Sequence, residues 1–251
     1  MRTIAHSTIG GMEQIVYTEK KSNGRDPQLL GGLLSSLPLF HQLPRSQLDP
    51  VASHSRMLNV RRGAVFCRQG ERLAGVIAVG FGILKLALRR PDGEEKVVRF
   101  LHANQTFGEC AALLHRPCPV DIVALEDSLI ASIPVAPLLR MIENDPRFAN
   151  NIVRAMAESY LGLLAEHRAS LQQSALQRLA AYLESLAEPN GTPDSWIARL
   201  PASKTAVAAR LGITKETLSR LLRELANRGL IMVARRDIEL RDLAALSQVA
   251  R

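Results

Sequence analysis

The spacing of apolar residues changes twice along the chain, and each change predicts a different kind of structure. From Met57 to Pro134 the apolar residues form short runs separated by turns that contain glycine or proline. Short runs with this punctuation predict a β-sandwich or jelly roll. From Arg147 to Gln173 the apolar residues follow a helical period without an internal proline. Beyond Gln173 helix-like and strand-like periods alternate, which predicts a second, mixed domain.

These patterns divide the chain into four predicted segments. Residues 1–26 are polar and have no period, so we expect a flexible tail. Residues 27–136 contain two apolar clusters broken by prolines and then the β-rich runs, which predicts short helices followed by a β-roll domain. Residues 137–173 are predicted to be helical, and residues 174–251 to form the compact second domain. Within the roll, the Asp-Gly pair at residues 92–93 predicts a hairpin tip.

The predicted long helix carries more apolar surface than one roll needs. Part of this surface must cover the roll, and the remainder suits a paired helix in a symmetric dimer. The alternative is a core helix packed only within its own chain. The residues predicted for the dimer seam are Ile152, Met156, Tyr160, Leu163 and His167.

The stretch from Ser203 to Arg228 predicts two helices joined by a tight turn. Its apolar residues fall at helical spacing and form one buried seam: Val207, Leu211, Leu218, Leu221, Leu222 and Leu225. Gly212 follows the first helix, where glycine takes a positive φ without steric cost, and Thr214 is the expected N-cap of the second. The pattern favours a helix-turn-helix over a structural helical hairpin.

Burial of these leucines leaves a polar face with the chemistry of a recognition helix. Arginine donates two hydrogen bonds to guanine, and glutamate accepts one from the cytosine amino group. The alternative is a surface helix with solvated charges. Two strand-like runs around a turn at Ala234–Asp237 predict a wing. The candidate DNA-contacting residues are Ser203, Lys204, Thr214, Lys215, Glu216, Thr217, Ser219, Arg220, Arg223 and Arg235.

The composition limits which binding partners and which cellular compartment we expect for the protein. The formal net charge of +8 over 251 residues favours a polyanionic partner such as double-stranded DNA, although the basic excess is spread along the chain. Three cysteines without a CxxC motif fit a reducing cytoplasm better than a disulfide scaffold. The sequence has neither an apolar run of membrane-spanning length nor an apolar signal core at its N-terminus, so we expect no membrane association.

The order of these elements resembles the Crp/Fnr superfamily of bacterial transcription regulators over about residues 35–251. The resemblance rests on FCRQGE at residues 66–71, Phe107-Gly108-Glu109, ALED at residues 124–127, and LPASK followed by AARLGITKETLSR. It implies an α+β fold with a cyclic-nucleotide-binding-like β-roll as sensor, a long dimerisation helix and a C-terminal winged helix-turn-helix. It also implies a cytoplasmic homodimer. The triplet Glu216, Ser219 and Arg220 resembles the Fnr, FixK and Dnr branches, which bind TTGAT-like half-sites, whereas the cyclic-AMP branch has glycine in place of the serine.

The resemblance also indicates where an effector would bind, and it argues against two known effectors. The cyclic-AMP sites hold the phosphate with an Arg-Ser pair, and here Pro119 and Val120 occupy those positions, so cyclic AMP is not expected. The iron–sulfur proteins of the family use an N-terminal cysteine group, which this chain lacks, so no cluster is expected. The candidate effector pocket consists of Phe107, Gly108, Glu109, Cys110, Pro119 and Val120.

Two candidate effectors are compatible with the sequence. The stretch from Ala111 to Val120 resembles Dnr/NnrR-type regulators, some of which respond to nitric oxide through haem. The candidate axial ligands are His41, His54, His102, His115, His167, Cys110 and Cys118, none of which has diagnostic spacing. The other option is a redox response of Cys110 and Cys118, which are close in sequence.

Other classes of function are disfavoured by the motifs. No nucleophile elbow, Walker loop, dinucleotide fingerprint or HExxH motif is present, so we do not expect an enzyme. A regulator gated by another small ligand, and a nucleotide-binding module without DNA binding, are the alternatives. Activation of transcription through a contact with RNA polymerase is compatible with the family, but the sequence does not distinguish activation from repression.

Overall fold

The computed structural model describes residues 27–89 and 95–251. The predicted tail at residues 1–26 and the predicted hairpin tip at residues 92–93 lie outside this range. The chain divides into two compact units. The first, apart from Glu95–Val97, runs to Ser159, and the second runs from Tyr160 to Arg251. The boundary between them falls inside one long helix.

Within the described residues, eight strands form the roll in the first unit. They are β1 Arg56–Val60, β2 Val65–Cys67, β3 Gly75–Phe81, β4 Leu84–Arg89, β5 Glu95–Leu101, β6 Thr106–Phe107, β7 Asp121–Ala124 and β8 Ser128–Pro134. The strands make two four-stranded sheets, in the orders β1-β8-β3-β6 and β2-β7-β4-β5. The facing sides of the two sheets enclose one apolar core, to which Val79 and Ile130 contribute from the first sheet and Leu86 and Ile122 from the second.

The outer face of the first sheet is covered by helices. The helices of this unit are α1 Pro27–Ser36, α2 Arg45–His54, the short α3 Glu109–Leu113, α4 Val135–Asn144 and α5 Pro146–Gln172, and a 3-10 turn spans Pro38–Phe40. A second apolar core joins Val76 and Ile133 of the sheet to Leu34, Leu48 and Phe148 of the helices. Strand β3 is therefore buried on both faces, which explains why its sequence, GVIAVGF, is apolar without alternation.

Asp145 fixes the junction between α4 and α5. Its carboxylate accepts hydrogen bonds from the backbone N–H and the guanidinium of Arg147, and from Nε2 of Gln47 on α2 at 2.8 Å. These donors hold the pKa of Asp145 well below its usual range. The start of the long helix is thereby tied to the helices that cover the roll.

The second unit contains the end of α5 and a mixed helix–sheet domain. Its other elements are α6 Ala175–Ser185, β9 Ala187–Asn190, β10 Thr192–Arg199, α7 Lys204–Leu211, α8 Lys215–Asn227, β11 Ile231–Ala234, β12 Asp237–Leu240 and α9 Leu243–Ala250. The strands form one sheet in the order β11-β12-β10-β9. The fold class predicted from the sequence, a β-roll, a long helix and a winged helix-turn-helix, is confirmed.

One helix in this unit is shorter than the helical period of its sequence. The helical pattern of SALQRLAAYLESLAE continues to Glu188, but α6 ends at Ser185 and the chain turns back as β9. Strand β9 pairs with β10, where Ala187 lies opposite Ala198. Residues 187–190 are extended because they pair with a neighbouring strand, and the spacing of apolar residues along the sequence contains no information about that pairing.

Candidate nucleic-acid interface

The turn between α7 and α8 is built by three local devices. The Ser203 side chain accepts a hydrogen bond from the backbone of Ala206, and Thr214 accepts one from Thr217, so each helix begins with a side-chain cap. Gly212 has a φ of 67°, and the N–H of Ile213 donates to the carbonyl of Ala208 at 3.0 Å, which closes α7. These bonds fix where α8 starts and how it leaves the turn.

Helix α8 has one buried face and one open face. Four leucines are buried, Leu218, Leu221, Leu222 and Leu225. The opposite face carries Lys215, Glu216, Ser219, Arg220 and Arg223, which line a shallow concavity of about 400 Å³. Because the leucines anchor the helix, the polar side chains occupy a defined position on the surface of the domain.

The charges on the open face are not committed to ion pairs. Within the part of the chain that the structure describes, no salt bridge involves Lys215, Glu216, Arg220 or Arg223. By contrast, Arg228 near the end of the same helix pairs with Glu224. Three cations and one carboxylate are therefore available to a ligand, and the excess of positive charge suits phosphate.

Several other predicted contact residues have structural partners. The hydroxyl of Ser219 donates to the carbonyl of Lys215 at 3.0 Å. Its hydrogen is therefore engaged within the helix, whereas its oxygen can still accept hydrogen bonds. Ser203 and Thr214 serve as the helix caps, and Thr217 accepts a hydrogen bond from the Thr214 hydroxyl at 3.1 Å. Lys204 lies in the first turn of α7 and is half-buried.

The predicted wing is present as the hairpin of β11 and β12. Ala234 pairs with Asp237, so Arg235 and Arg236 form a two-residue turn, and both are exposed. Arg235 has a φ of 58°, a conformation that side chains other than glycine, asparagine and aspartate seldom adopt. The wing thus presents two adjacent guanidinium groups at its tip.

A clasp that the sequence analysis missed fixes the end of α5 to the helix-turn-helix. The guanidinium of Arg210 on α7 donates to the carboxylate of Glu166 on α5, through Nη1 at 3.0 Å. Arg178 on α6 donates to the carbonyl of Gln173 at 2.6 Å and to that of Leu211 at 3.3 Å. No sequence signal links Glu166 to Arg210, because the two residues are 44 positions apart and each is ordinary in its own helix.

The residues predicted for the dimer seam all lie on helix α5, but they differ in burial. Ile152 is 5% exposed and belongs to the apolar core between the first sheet and the helices, and Met156 packs against that core. The prediction that Ile152 forms a seam between two copies is therefore wrong, because its own chain already covers it, whereas Met156 is half-buried. Tyr160, Leu163 and His167 are exposed, and their place in a seam stays a prediction.

The exposed apolar residues of α5 define a stripe with its own spacing. Val153, Tyr160, Leu164 and Leu171 follow one another at intervals of seven, four and seven residues, and Tyr160 and Leu164 are 61% and 47% exposed. At 3.6 residues per turn these four lie on one side of the helix, and Leu163 lies at the edge of the stripe. This is the spacing of a coiled-coil seam.

The predicted effector residues lie together at one edge of the roll. Gly108 has a φ of 100° and precedes α3, which begins at Glu109, and Phe107 ends β6. Cys110 is exposed, and so is Pro119. Val120, at the predicted phosphate-holding position, is buried in the core between the sheets.

The predicted redox pair of Cys110 and Cys118 needs a correction. Cys110 is on the surface of α3, whereas Cys118 is buried and its thiol interacts with that of Cys67. Proximity in sequence suggested the wrong partner, because α3 and the following turn carry Cys110 away while Cys118 enters the core.

The predicted haem ligands are spread over the first unit and the long helix. His41, His54, His115 and His167 are exposed, and burial lowers the pKa of the half-buried His102. Over residues 27–89 and 95–251, no three His, Cys, Asp or Glu side chains gather as a metal site. In the same ranges no helix is long and apolar enough to cross a membrane.

Comparison with known proteins gives the same two-part organisation. Residues 57–145 match the model of the cyclic nucleotide-binding domain, and residues 177–249 match that of the Crp-like helix-turn-helix domain. The chain is 25% identical to the cyclic AMP receptor protein of Thermus thermophilus, over 85% of this chain and 96% of that protein. It is 26% identical to the fumarate and nitrate reduction regulatory protein of Escherichia coli K12, over 84% and 83%.

A solved structure shares the fold. FixK2 from Bradyrhizobium japonicum superposes with a TM-score of 0.68 at 21% identity, covering 78% of this chain and 98% of that one. The roll, the capped recognition helix with its open cationic face, and the two domain matches lead to one conclusion. The chain belongs to the Crp/Fnr family and is a DNA-binding transcription regulator.

Proposed function

We propose that the protein is a homodimer that binds palindromic DNA with TTGAT-like half-sites, and that an effector in the β-roll sets its affinity. The observation that carries this proposal is the open face of α8. Lys215, Glu216 and Arg220 project from a helix that is capped at its start and anchored by four buried leucines. Preorganised, unpaired groups of this kind need no rearrangement before they bind DNA.

The spacing on α8 assigns a role to each side chain. Arg220 lies one turn beyond Glu216, so both face the same groove. Arg220 donates to O6 and N7 of the guanine in the half-site, and Glu216 accepts from a cytosine amino group. Ser219 offers its lone pairs to donors on the base edges, because its hydrogen is held by Lys215. Lys215 and Arg223 contact phosphates, which positions the helix without selecting a sequence.

The test is direct binding to a duplex that carries a TTGAT-type palindrome. We expect the dimer to bind it at least about a thousandfold more tightly than a scrambled duplex of the same length and composition. Fluorescence anisotropy at one fixed salt concentration measures both affinities. Equal affinity for the two duplexes would contradict sequence-specific binding, and no binding to either would remove DNA as the partner.

The stripe on α5 supports the homodimer. Four apolar side chains at coiled-coil spacing are exposed on a 27-residue helix, and their pairing with the same stripe of a second copy removes them from water. A symmetric dimer presents two recognition helices to two half-sites, which is the geometry that a palindrome requires. Neither the roll nor the recognition helix needs a partner to fold in this scheme.

Within the dimer we assign residues 27–136 to sensing, residues 137–173 to dimerisation and residues 174–251 to DNA binding. An effector changes DNA affinity only through its differential affinity for two packings of α5. The clasp between Glu166 and Arg210 connects α5 to the helix-turn-helix, so a change in the packing of α5 reaches α7 directly.

Cyclic AMP is expected to leave DNA affinity unchanged. Val120 occupies the phosphate-holding position and is buried among apolar side chains, so a cyclic phosphate would enter without a compensating cation. Titration calorimetry of the full chain with cyclic AMP should show no saturable heat, and operator affinity should be the same with and without the nucleotide. Micromolar binding coupled to a gain in operator affinity would overturn this prediction.

Removing the charge at the tip of the wing is expected to weaken binding to every DNA sequence alike. Arg235→Gly deletes one guanidinium and suits the positive φ at this position, so the hairpin should be preserved. We expect the slope of log affinity against log salt to fall by about one unit per protomer, since one phosphate contact is lost. Anisotropy titrations at several salt concentrations measure the slope.

The matched control for the wing is Arg235→Lys, which keeps both the charge and the backbone conformation. Its salt slope should equal that of the unaltered protein. If Arg235→Gly reduced affinity for only some base sequences, Arg235 would contact base edges, and the assignment to phosphate would be wrong.

A further inference from the structure

Two cysteines that are far apart in the sequence meet inside the roll. Cys67 ends β2 and Cys118 lies three residues before β7. Their side chains are 4% and 1% exposed, and both belong to the core between the two sheets. Strands β2 and β7 are neighbours in the second sheet, where Cys67 lies opposite Ile122. The topology therefore brings the two thiols to the same part of the core.

Backbone hydrogen bonds hold the segment around Cys118 against the turn that follows Cys67. The N–H of Cys118 donates to the carbonyl of Glu71 at 2.7 Å, and the N–H of Gly70 donates to the carbonyl of Cys118 at 2.8 Å. Gln69 donates its N–H to the carboxylate of Asp121 at 2.8 Å, which fixes the same turn from the other side. The approach of the two cysteines is thus set by the backbone and does not depend on a side-chain rotamer alone.

The two thiols interact with each other. The Cys118 thiol also contacts the carbonyl of Val120 at 3.1 Å, and the Cys67 thiol that of Arg68 at 3.5 Å. The hydrogen bond between the thiols raises the pKa of Cys67 and lowers the pKa of Cys118 to about 7. The Cys118 thiol is therefore the more acidic of the two, and it is the one that ionises first.

We propose that Cys67 and Cys118 form a redox-active dithiol that hydroperoxides oxidise to an intramolecular disulfide, and that this disulfide alters DNA binding. The Cys118 thiolate attacks one oxygen of hydrogen peroxide, the O–O bond breaks, and the hydroxide that leaves takes up a proton to become water. The sulfenic acid on Cys118 then condenses with the Cys67 thiol, an S–S bond forms, and a second water leaves. Overall, two thiols and one hydrogen peroxide give one disulfide and two waters.

The oxidant reaches Cys118, which is 1% exposed, when the connection that carries it opens locally and the two backbone hydrogen bonds of Cys118 break. Residues Leu114 to Pro117, which precede it, are all exposed, and His115 among them has a φ of 51°. A surface segment of this kind opens at low free-energy cost compared with global unfolding. Cys67 lies at the end of β2 and acts as the resolving thiol once Cys118 returns to the core.

The disulfide acts on the part of the roll that we assign to effector sensing, and in this respect the inference rests on the proposed function. Cys118 directly precedes Pro119 and Val120 and follows α3, which begins at Glu109. A covalent bond to β2 tethers this whole connection to the second sheet. The oxidised and the reduced roll then favour different packings of α5, and this difference changes the affinity for DNA.

The experiment uses the reduced full-length protein, hydrogen peroxide and an alkylating reagent. Before oxidation three thiols should be alkylated in the denatured protein, since all three cysteines are free. After oxidation one should remain, and peptide mapping should place it at Cys110 and show a Cys67–Cys118 cross-link that dithiothreitol reverses. Three alkylatable thiols after treatment, or cross-links through Cys110 alone, would overturn the proposal.

Cys110→Ser is the matched control, because it removes the surface thiol and leaves the pair intact. It should form the same cross-link and retain no free thiol. Cys67→Ser and Cys118→Ser should form no intramolecular cross-link. The mapping of the unaltered protein decides the question even if either of these two variants fails to fold.

Operator binding of Cys110→Ser in its reduced and oxidised forms tests the regulatory part. We expect the two affinities to differ by at least about fivefold, the lower end of ordinary allosteric coupling, and dithiothreitol to restore the reduced value. Equal affinities would overturn the regulatory claim. If the cross-link formed but neither form bound the operator, the DNA-binding proposal would be wrong and the redox-active dithiol would still be supported. The failure of one proposal can therefore be distinguished from the failure of the other.

Discussion

Replacing Leu164 with glutamate is expected to convert the dimer into a monomer and to abolish operator binding. Leu164 is 47% exposed and lies in the stripe with Val153, Tyr160 and Leu171, so about half of its side chain faces solvent in a single protomer. In the dimer the new carboxylates enter an apolar seam, where each unpaired charge costs several kcal/mol. Light scattering coupled to size-exclusion chromatography measures the mass in solution.

Loss of operator binding follows from loss of the dimer. When one recognition helix is bound, the second binds its half-site as an intramolecular event, at an effective concentration far above that of free protein. A monomer lacks this advantage and keeps only the affinity of one half-site. The helix-turn-helix itself should stay folded, which circular dichroism of the variant verifies.

Ala165→Glu is the matched control for the dimer. It adds the same charge in the same turn of α5, at an exposed position about 100° around the helix from Leu164. This variant should remain dimeric and bind the operator normally. A dimeric Leu164→Glu variant, or a monomeric Ala165→Glu variant, would show that the seam lies on another face.

Replacing Arg220 with alanine is expected to remove base selection at the guanine of each half-site. The loss of two hydrogen bonds to O6 and N7 should cost about 1–3 kcal/mol per half-site, which is about 5- to 150-fold in affinity. The preference for guanine over adenine at that position should disappear. Glu216→Ala should relax discrimination more than it lowers affinity, because a carboxylate near phosphates acts mainly by excluding wrong bases.

Arg228→Ala is the charge-matched control for Arg220→Ala. Arg228 follows the same helix, but its guanidinium is paired with Glu224 and lies away from the open face. Its removal should leave the guanine preference intact. If Arg220→Ala lost affinity equally for guanine-containing and adenine-containing half-sites, Arg220 would be a phosphate contact and the assignment would be wrong.

The recognition helix was predictable from the sequence because its determinants are local. The spacing of Leu218, Leu221, Leu222 and Leu225 fixes which face is buried, and Gly212 fixes where the turn falls. The β-roll was predictable for a similar reason, since turn residues divide it into short runs. These signals depend on neighbours within one helix or one hairpin.

The remaining features depend on contacts between distant residues, which periodicity does not encode. Cys67 and Cys118 are brought together by the pairing of β2 with β7, whereas the sequence places Cys110 nearer to Cys118. Ile152 has the same helical spacing as a seam residue, but the helices that cover the first sheet enclose it. In the same way the ion pair between Glu166 and Arg210 joins two helices that are distant in the sequence.

The most direct test of the account is competition binding of the unaltered dimer against every single-base-pair variant of a TTGAT-type palindrome, at fixed salt. The account expects penalties of about 1–3 kcal/mol for changes at the guanine–cytosine pair, equal in the two half-sites, and little effect in the spacer. An affinity that is uniform across the panel and responds only to salt would show that α8 binds the backbone without selecting a sequence, and would contradict the central claim.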